Sequence, residues 1–399
     1  MTMPSDLAKQ VRQFVETEIV PHETALAAGD EAARELSTDL AKRAQQTGIF
    51  GAFYPLEYGG RIARLTDYLH VAEQEGRSEY APGILGADAT LDAHMLVRHG
   101  SSAVKQRFLA PLVQGAAVSS YAMSEPDSIG SIPATMTCRA VLQNNKWYIN
   151  GRKWFICRSQ SAHFATVVAK TADALTAQAL SMIVVPTDAP GFEIVRPLAV
   201  LGRFQGQSEL AFTNVSVPQD YLLGEQGQGI ALMQQRLALG RLLRSVHWLG
   251  LAQRCFDLLC ERVHSPRGKL ARLADKQLVR ARVVKVYQGI AAARGLLFDA
   301  ARKFDDGIAN SIEVNLTKLV ASQALSDAAD CAIQIMGAEG LADWTPLSGI
   351  YRAARTTHIL DGADDALIST VGRQLLSATA PDRAFDPLQP SLSIGRDTE

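Results

Sequence analysis

The stretch Val141-Leu142-Gln143-Asn144-Asn145-Lys146-Trp147-Tyr148-Ile149-Asn150-Gly151 carries apolar residues on both sides of an asparagine pair, and an Asn-Gly dipeptide follows at once. Asparagine and glycine tolerate left-handed backbone, so both pairs are hairpin signals between short strands. Further β-rich runs follow over 163–170, 181–186, 191–197 and 209–218, separated by turn residues. Several short strands at this spacing predict a small barrel or sandwich. On either side the period changes to that of helices. Before the strands, Ser37 is placed to cap a helix running through Leu40, Ala44 and Ile49. A second helix covers 66–75 with Asp67 near its start, and Gly59-Gly60 and Pro82-Gly83 punctuate the region. After the strands, from Gly229 on, Leu249, Ala252, Phe256, Leu259 and Val263 form a buried helical stripe. Long helices over 283–304 and 312–336 follow, with breaks at 337–340 and at Asp361-Gly362. The expectation is an α+β chain: helices over 1–117, a β-barrel or sandwich over 118–228, a helical bundle over 229–382 and a Pro-, Asp- and Ser-rich tail over 383–399.

Composition narrows the function. Across 399 residues, 40 Lys+Arg stand against 41 Asp+Glu, a formal net charge of −1. That balance argues against binding nucleic acid by phosphate neutralisation. With 47% hydrophobic and 20% charged residues, the chain reads as an ordinary soluble globular protein. Cys138, Cys157, Cys255, Cys260 and Cys331 are scattered, with no C-x-x-C pair, as expected of free thiols in a reducing cytoplasm. No secretory signal is expected from the first residues. The uncharged stretch 108–124 is too short and polar to span a bilayer. There is no phosphate-binding loop, no H-E-x-x-H and no dinucleotide fingerprint. Gly206-Gln207-Ser208-Glu209-Leu210 lacks the second glycine of a nucleophile elbow, and the eight histidines show no metal-ligand spacing, so no metal is expected.

Several motifs remain. Tyr121-Ala122-Met123-Ser124-Glu125-Pro126-Asp127, Trp147-Tyr148-Ile149-Asn150-Gly151-Arg152-Lys153-Trp154-Phe155-Ile156, and Leu201-Gly202-Arg203 with Glu209-Leu210-Ala211-Phe212 succeed one another. They are followed by Ala332-Ile333-Gln334-Ile335-Met336-Gly337, Tyr351-Arg352 and Leu360-Asp361-Gly362. In this order, along nearly the whole chain, they resemble the acyl-CoA dehydrogenases. The resemblance implies FAD and α,β-dehydrogenation of an acyl thioester, whose acyl group rides on CoA or an acyl-carrier protein, with a separate electron acceptor. Asp361 stands where the family keeps a glutamate base, with Gly362 beside it. Arg241 matches a buried arginine at the start of a long helix near the base, and is expected to hold the Asp361 carboxylate ionised and oriented. Tyr121, Met123 and Ser124 match residues along the flavin ring. Phe155 and Cys157 match the Trp-Ile-Thr segment whose threonine donates toward flavin N5. Gln334 and Gly337 match residues that reach the flavin of an adjacent subunit, which implies a homo-oligomer, commonly a dimer of dimers.

Departures from the pattern modify those expectations. The loop Ser128-Ile129-Gly130-Ser131-Ile132 replaces the family's Gly-Ser-Asp beside the thioester, with Ser131 the candidate substrate contact. The family's Arg-x-x-Phe-Gly, which grips the FAD pyrophosphate across the dimer, gives way to Ser265-Pro266-Arg267-Gly268-Lys269, so Arg267 or Lys269 is the candidate replacement. An aspartate base, as in the related nitroalkane oxidase, and Cys157 also fit a flavin oxidase or monooxygenase. The lost arginine motif fits a subunit without catalysis. For Asp361 itself the plain alternative is a helix cap in an ordinary Asp-Gly turn.

Overall fold

The computed structural model describes residues 4–172 and 179–378. The tail expected over 383–399 lies outside the described residues. The middle of the chain forms β1 (Ser119–Ala122), β2 (Arg139–Gln143), β3 (Lys146–Ile156), β4 (Phe164–Lys170), β5 (Leu180–Pro186), β6 (Phe192–Val200), β7 (Arg203–Pro218) and β8 (Leu222–Leu223). Asn144 and Asn145 have φ +50° and +59° and close the β2–β3 hairpin, with Gln143 opposite Lys146. The second signal behaves differently. Asn150-Gly151 lies inside β3, at a register shift against β7, and makes a bulge rather than a turn. The Asn150 side chain accepts from Asn214 N at 2.7 Å, and a Cβ on Gly151 would stand 2.7 Å from Cys138 Cα.

The strand order is β6-β7-β3-β2-β4-β5-β8, with β1 parallel to β4. Only Arg139 and Lys170 pair β2 with β4, so one bridge joins two four-stranded halves. Every residue of β5 is buried, and all of β4 except Lys170, which is why these strands read as continuous apolar runs.

Helices of eight or more residues, among those described, flank the sheet. They are α1 (Pro4–Phe14), α2 (Glu31–Gln46), α3 (Leu65–Glu75), α4 (Thr90–His99), α5 (Gly229–His264), α6 (Gln277–Asp305), α7 (Ser311–Met336), α8 (Leu347–Thr357) and α9 (Asp364–Ala378). One core joins the sheet to α4 and to Leu232 and Met233 of α5, a second joins α1–α3 to α5 and α6, and a third lies within α5–α8. Helix α5 enters all three and fixes the parts relative to one another. Ser37 falls within α2, not at its end. Asp30 is the cap and accepts from Ala33 N at 2.9 Å. Helix α3 is capped from a distance: Asp305, at the end of α6, accepts from Leu65 N at 2.7 Å and Thr66 N at 2.9 Å. Asn310 and Glu313 form a reciprocal capping box on α7. Asn310→Ala is expected to cost about 1 kcal/mol, read as a lower denaturant midpoint at unchanged slope.

Candidate active site

The segment after β1 is anchored by one buried ion pair. Glu125 is 2% exposed and accepts from Lys153 Nζ at 2.8 Å, Thr137 N at 2.6 Å and Cys138 N at 3.1 Å. Lys153, fully buried, also donates to Met123 O at 2.8 Å. Burial alone would raise the Glu125 carboxyl, but Lys153 and the main-chain donors hold it below the usual glutamate range. Trp154 N donates to Ser124 O at 3.0 Å, so the main chain of Met123 and Ser124 is fixed against β3. The Ser124 hydroxyl bonds to none of the described residues.

Just past Lys153, β3 slips register against β7. Phe155 has φ +52° and is 48% exposed. A bulky residue in left-handed backbone is an outlier, and here the bulge presents an aromatic ring to solvent. Cys157 is exposed as well, and its carbonyl accepts from Ser120 Oγ at 2.7 Å. The chain around it raises the thiol despite nearby Arg244 and Arg158, so the sulfur is a protonated, weak donor. The Tyr121 ring lies 4.3 Å from the Arg236 guanidinium. Its hydroxyl is buried without a hydrogen-bond partner among the described residues, and burial raises it despite Arg236.

Asp361 sits in the α8–α9 connection with φ +55°, and Gly362 follows at φ +104°. A Cβ on Gly362 would meet Arg241 Nη2 and Leu367 Cδ2, each at 3.1 Å, so the turn tolerates only glycine without adjustment. The expected pairing of Arg241 with the Asp361 carboxylate is replaced. Arg241 Nε donates to the Asp361 main-chain oxygen at 2.8 Å, and Nη1 to Asn315 Oδ1 at 2.8 Å. The nearest cation to the carboxylate is Arg244, with Nε 4.0 Å from Asp361 Oδ2. The two acids of this turn are used differently. Asp364 accepts from the fully buried Lys318, from His358 Nδ1 at 2.6 Å and from Ser322 Oγ at 3.3 Å. Lys318 also holds Gly362 O at 2.9 Å. The Asp361 carboxylate accepts no hydrogen bond from any described residue. It is not a cap, since α9 begins at Asp364 and no main-chain N–H donates to the Asp361 side chain.

Asp361 and Cys157 thus both lie within electrostatic reach of Arg244, Arg241 and Gly362 belong to the Asp361 turn, and the Tyr121–Glu125 segment joins β3 at Trp154, next to Phe155. Ser131 lies in an exposed turn closed by Ile132 N to Ile129 O at 2.8 Å, and no contact ties it to Asp361. Arg267, Gln334 and Gly337 form a separate group. Arg267, on the short helix Pro266–Leu270, pairs with Glu339, as does Arg262 at 3.1 Å. Gln334 and Gly337 are exposed at the far end of α7. Asn315, which meets Arg241, lies 19 positions before Gln334 on that helix, a separation of roughly 28 Å at 1.5 Å per residue. Reasoning from sequence missed Arg244, Arg158 and Asp88, which crowd the same place. Arg244 was within reach of it: three positions after Arg241 on a helix, it shares that residue's face.

Comparison with known proteins places this geometry. Profiles of the acyl-CoA dehydrogenase N-terminal, middle and C-terminal domains match residues 4–116, 120–215 and 227–376. A Mycobacterium tuberculosis protein named as a probable acyl-CoA dehydrogenase is 32% identical, over 87% of this chain and 87% of its own. Acyl-CoA dehydrogenase family member 11 of Gallus gallus is 29% identical over 91% of this chain, yet the chain spans only 49% of that protein's length. A solved Mycobacterium abscessus structure assigned to the acyl-CoA dehydrogenases superposes with TM-score 0.86 at 29% identity, covering 95% of this chain and 99% of its own. The chain belongs to the acyl-CoA dehydrogenase family.

Proposed function

We propose that this chain is an FAD-dependent dehydrogenase of an acyl thioester, with Asp361 as the base. The observation that carries the reading is the contrast at one turn: Asp364 is saturated with donors, while Asp361, three residues before it, is left uncommitted beside Arg244 and Cys157. A carboxylate used for structure accepts hydrogen bonds; one used as a base needs a free oxygen.

The surroundings fit a flavin. The exposed Phe155 ring, the unpartnered Tyr121 hydroxyl, the free Ser124 hydroxyl and the Cys157 thiol offer an aromatic face and donors from β1, the end of β3 and the segments that follow them. When bound, FAD supplies the hydride acceptor. Asp361 takes the α proton. Main-chain N–H groups of the Asp361–Gly362 turn are the candidate donors to the thioester carbonyl as negative charge develops. Arg241 and Lys318, by holding the carbonyls on either side of that turn, keep it in place. Anaerobic bleaching of the flavin spectrum by acyl thioesters tests the reading. A protein that binds no flavin, or a flavin that no thioester bleaches, overturns it. Hydrogen peroxide formed in step with turnover would instead assign an oxidase.

Gln334, Gly337 and Arg267 stand too far from Asp361 to serve the same cofactor within one chain, which supports a site completed by a second copy. Exposed Leu270, Tyr287, Leu341 and Trp344 supply apolar surface for that association. In this reading Arg267 takes the pyrophosphate role. Arg267→Ala with Lys269→Ala is expected to weaken FAD retention about tenfold, measured by flavin release on gel filtration; full retention would move the charge elsewhere.

A further inference from the structure

The wall beside the candidate base is charged, and charge is a poor lining for a hydrocarbon chain. Arg244 Nη1 donates to Asp88 Oδ1 at 3.2 Å, while its Nε is 4.0 Å from Asp361, beyond hydrogen-bond reach. Its side chain is 42% exposed, and among the described residues its Nε and Nη2 meet no acceptor within hydrogen-bond distance. Arg158, directly after Cys157, adds a second guanidinium, 3.5 Å from Asp92. Asp92 is otherwise satisfied by Arg236 at 2.8 Å and by Ser119 at 2.5 Å. Asp88 and Asp92 therefore have their cations, and Arg244 keeps donors to spare.

An alkyl chain laid against Arg244 and Arg158 would strip water from both and return no hydrogen bond. A carboxylate would accept two parallel N–H bonds from a guanidinium. Resting on the dehydrogenase reading above, we propose that Arg244 anchors an anionic group on the acyl chain, so that the substrate is the monothioester of a dicarboxylic acid. Reach limits its length. A proton donor carbon sits within about 3.5 Å of its base, and Arg244 Nε lies 4.0 Å from that base, so a carboxylate held at about 3 Å from the guanidinium lies no more than roughly 10 Å from the α carbon. At roughly 1.3 Å of advance per bond of an extended chain, that reach sets an upper limit of about ten carbons, and a five-carbon diacid falls well inside it.

The test compares glutaryl-CoA with pentanoyl-CoA, equal in chain length and different only at the far end. Binding to the flavin-loaded protein is measured by calorimetry, and flavin bleaching is followed anaerobically. The parent is expected to bind glutaryl-CoA about 10- to 100-fold more tightly, the usual size of a hydrogen-bonded charge contact. Arg244→Met is expected to bring that ratio near one. Arg244→Lys, which keeps the charge but loses the fork, is expected to fall between and serves if the methionine variant does not fold. A parental ratio at or below one overturns the proposal. So does a ratio unchanged in Arg244→Met, or equal loss of both ligands in it, which would make Arg244 a positioning residue for Asp361. The two readings fail separately. If neither thioester bleaches the flavin but the Arg244-dependent ratio is present, the dehydrogenase reading falls and the anion site stands. Bleaching by pentanoyl-CoA with no binding preference sinks the anion site alone.

Discussion

Asp361→Asn is expected to slow substrate-dependent flavin bleaching by about 10²–10⁴, while fold and flavin content stay at parental levels. Asparagine is nearly the same shape and keeps an oxygen, but it accepts no proton from an α carbon. The structure sharpens what else can follow. The bonds that shape this turn run to the main-chain oxygens of Asp361 and Gly362 and to the Asp364 side chain, not to the Asp361 carboxylate. The substitution therefore removes no described hydrogen bond, and the expected stability change is within about 0.5 kcal/mol, as for a substitution away from packed or bonded features. Asp364→Asn makes the contrast. It disturbs Lys318, His358 and Ser322 together and is expected to lower stability by roughly 2 kcal/mol or more, because Lys318 is left buried without its counter-charge. Asp361→Glu extends the carboxylate by one bond and is expected to retain partial activity, since the distance is set for the shorter side chain. Parental bleaching by Asp361→Asn would take the residue out of the mechanism.

The architecture was legible because its signals are local. The Asn144-Asn145 turn, the apolar runs of β4 and β5 and the α5 stripe each depend on neighbours in sequence, and each appears where the pattern put it. What was missed depends on distant partners. Asn150-Gly151 looks like a turn until both neighbours of β3 are laid beside it, when Cys138, just before β2, requires Gly151 and Asn214 of β7 engages Asn150. Helix α3 carries no cap of its own because Asp305, 240 positions away from Leu65, supplies it. Within the candidate site, the motifs marked Asp361 and Arg241 but not how they relate. A left-handed residue presents its carbonyl, rather than its carboxylate, to Arg241. The cation facing the carboxylate comes from one turn further along the same helix.

Lys153→Met is expected to be the most destabilising single change discussed, by about 3–5 kcal/mol, because it leaves Glu125 buried without its cation. The consequence reaches the candidate flavin site, since Lys153 is also the donor that fixes Met123 O beside Ser124. Loss of flavin is therefore expected even in protein that remains folded, with Cys157 and Phe155 still in place one turn of strand away. The double change Glu125→Gln with Lys153→Met separates charge from shape. The uncompensated carboxylate is gone, and the amide oxygen still accepts from Thr137 N or Cys138 N, so much of the stability is expected to return while Met123 O stays without its donor. Acidity tests the same pair in the parent. The folded-state Glu125 titrates below its unfolded value, so its contribution is fully present above the ordinary glutamate range and is lost as pH falls through the depressed folded value. The stability gap between the parent and the double variant is thus expected to be widest at neutral pH and to close in acid, measured by chemical denaturation at each pH. A gap that widens in acid would mean that Glu125 is held protonated in the fold and that Lys153 is not its counter-ion.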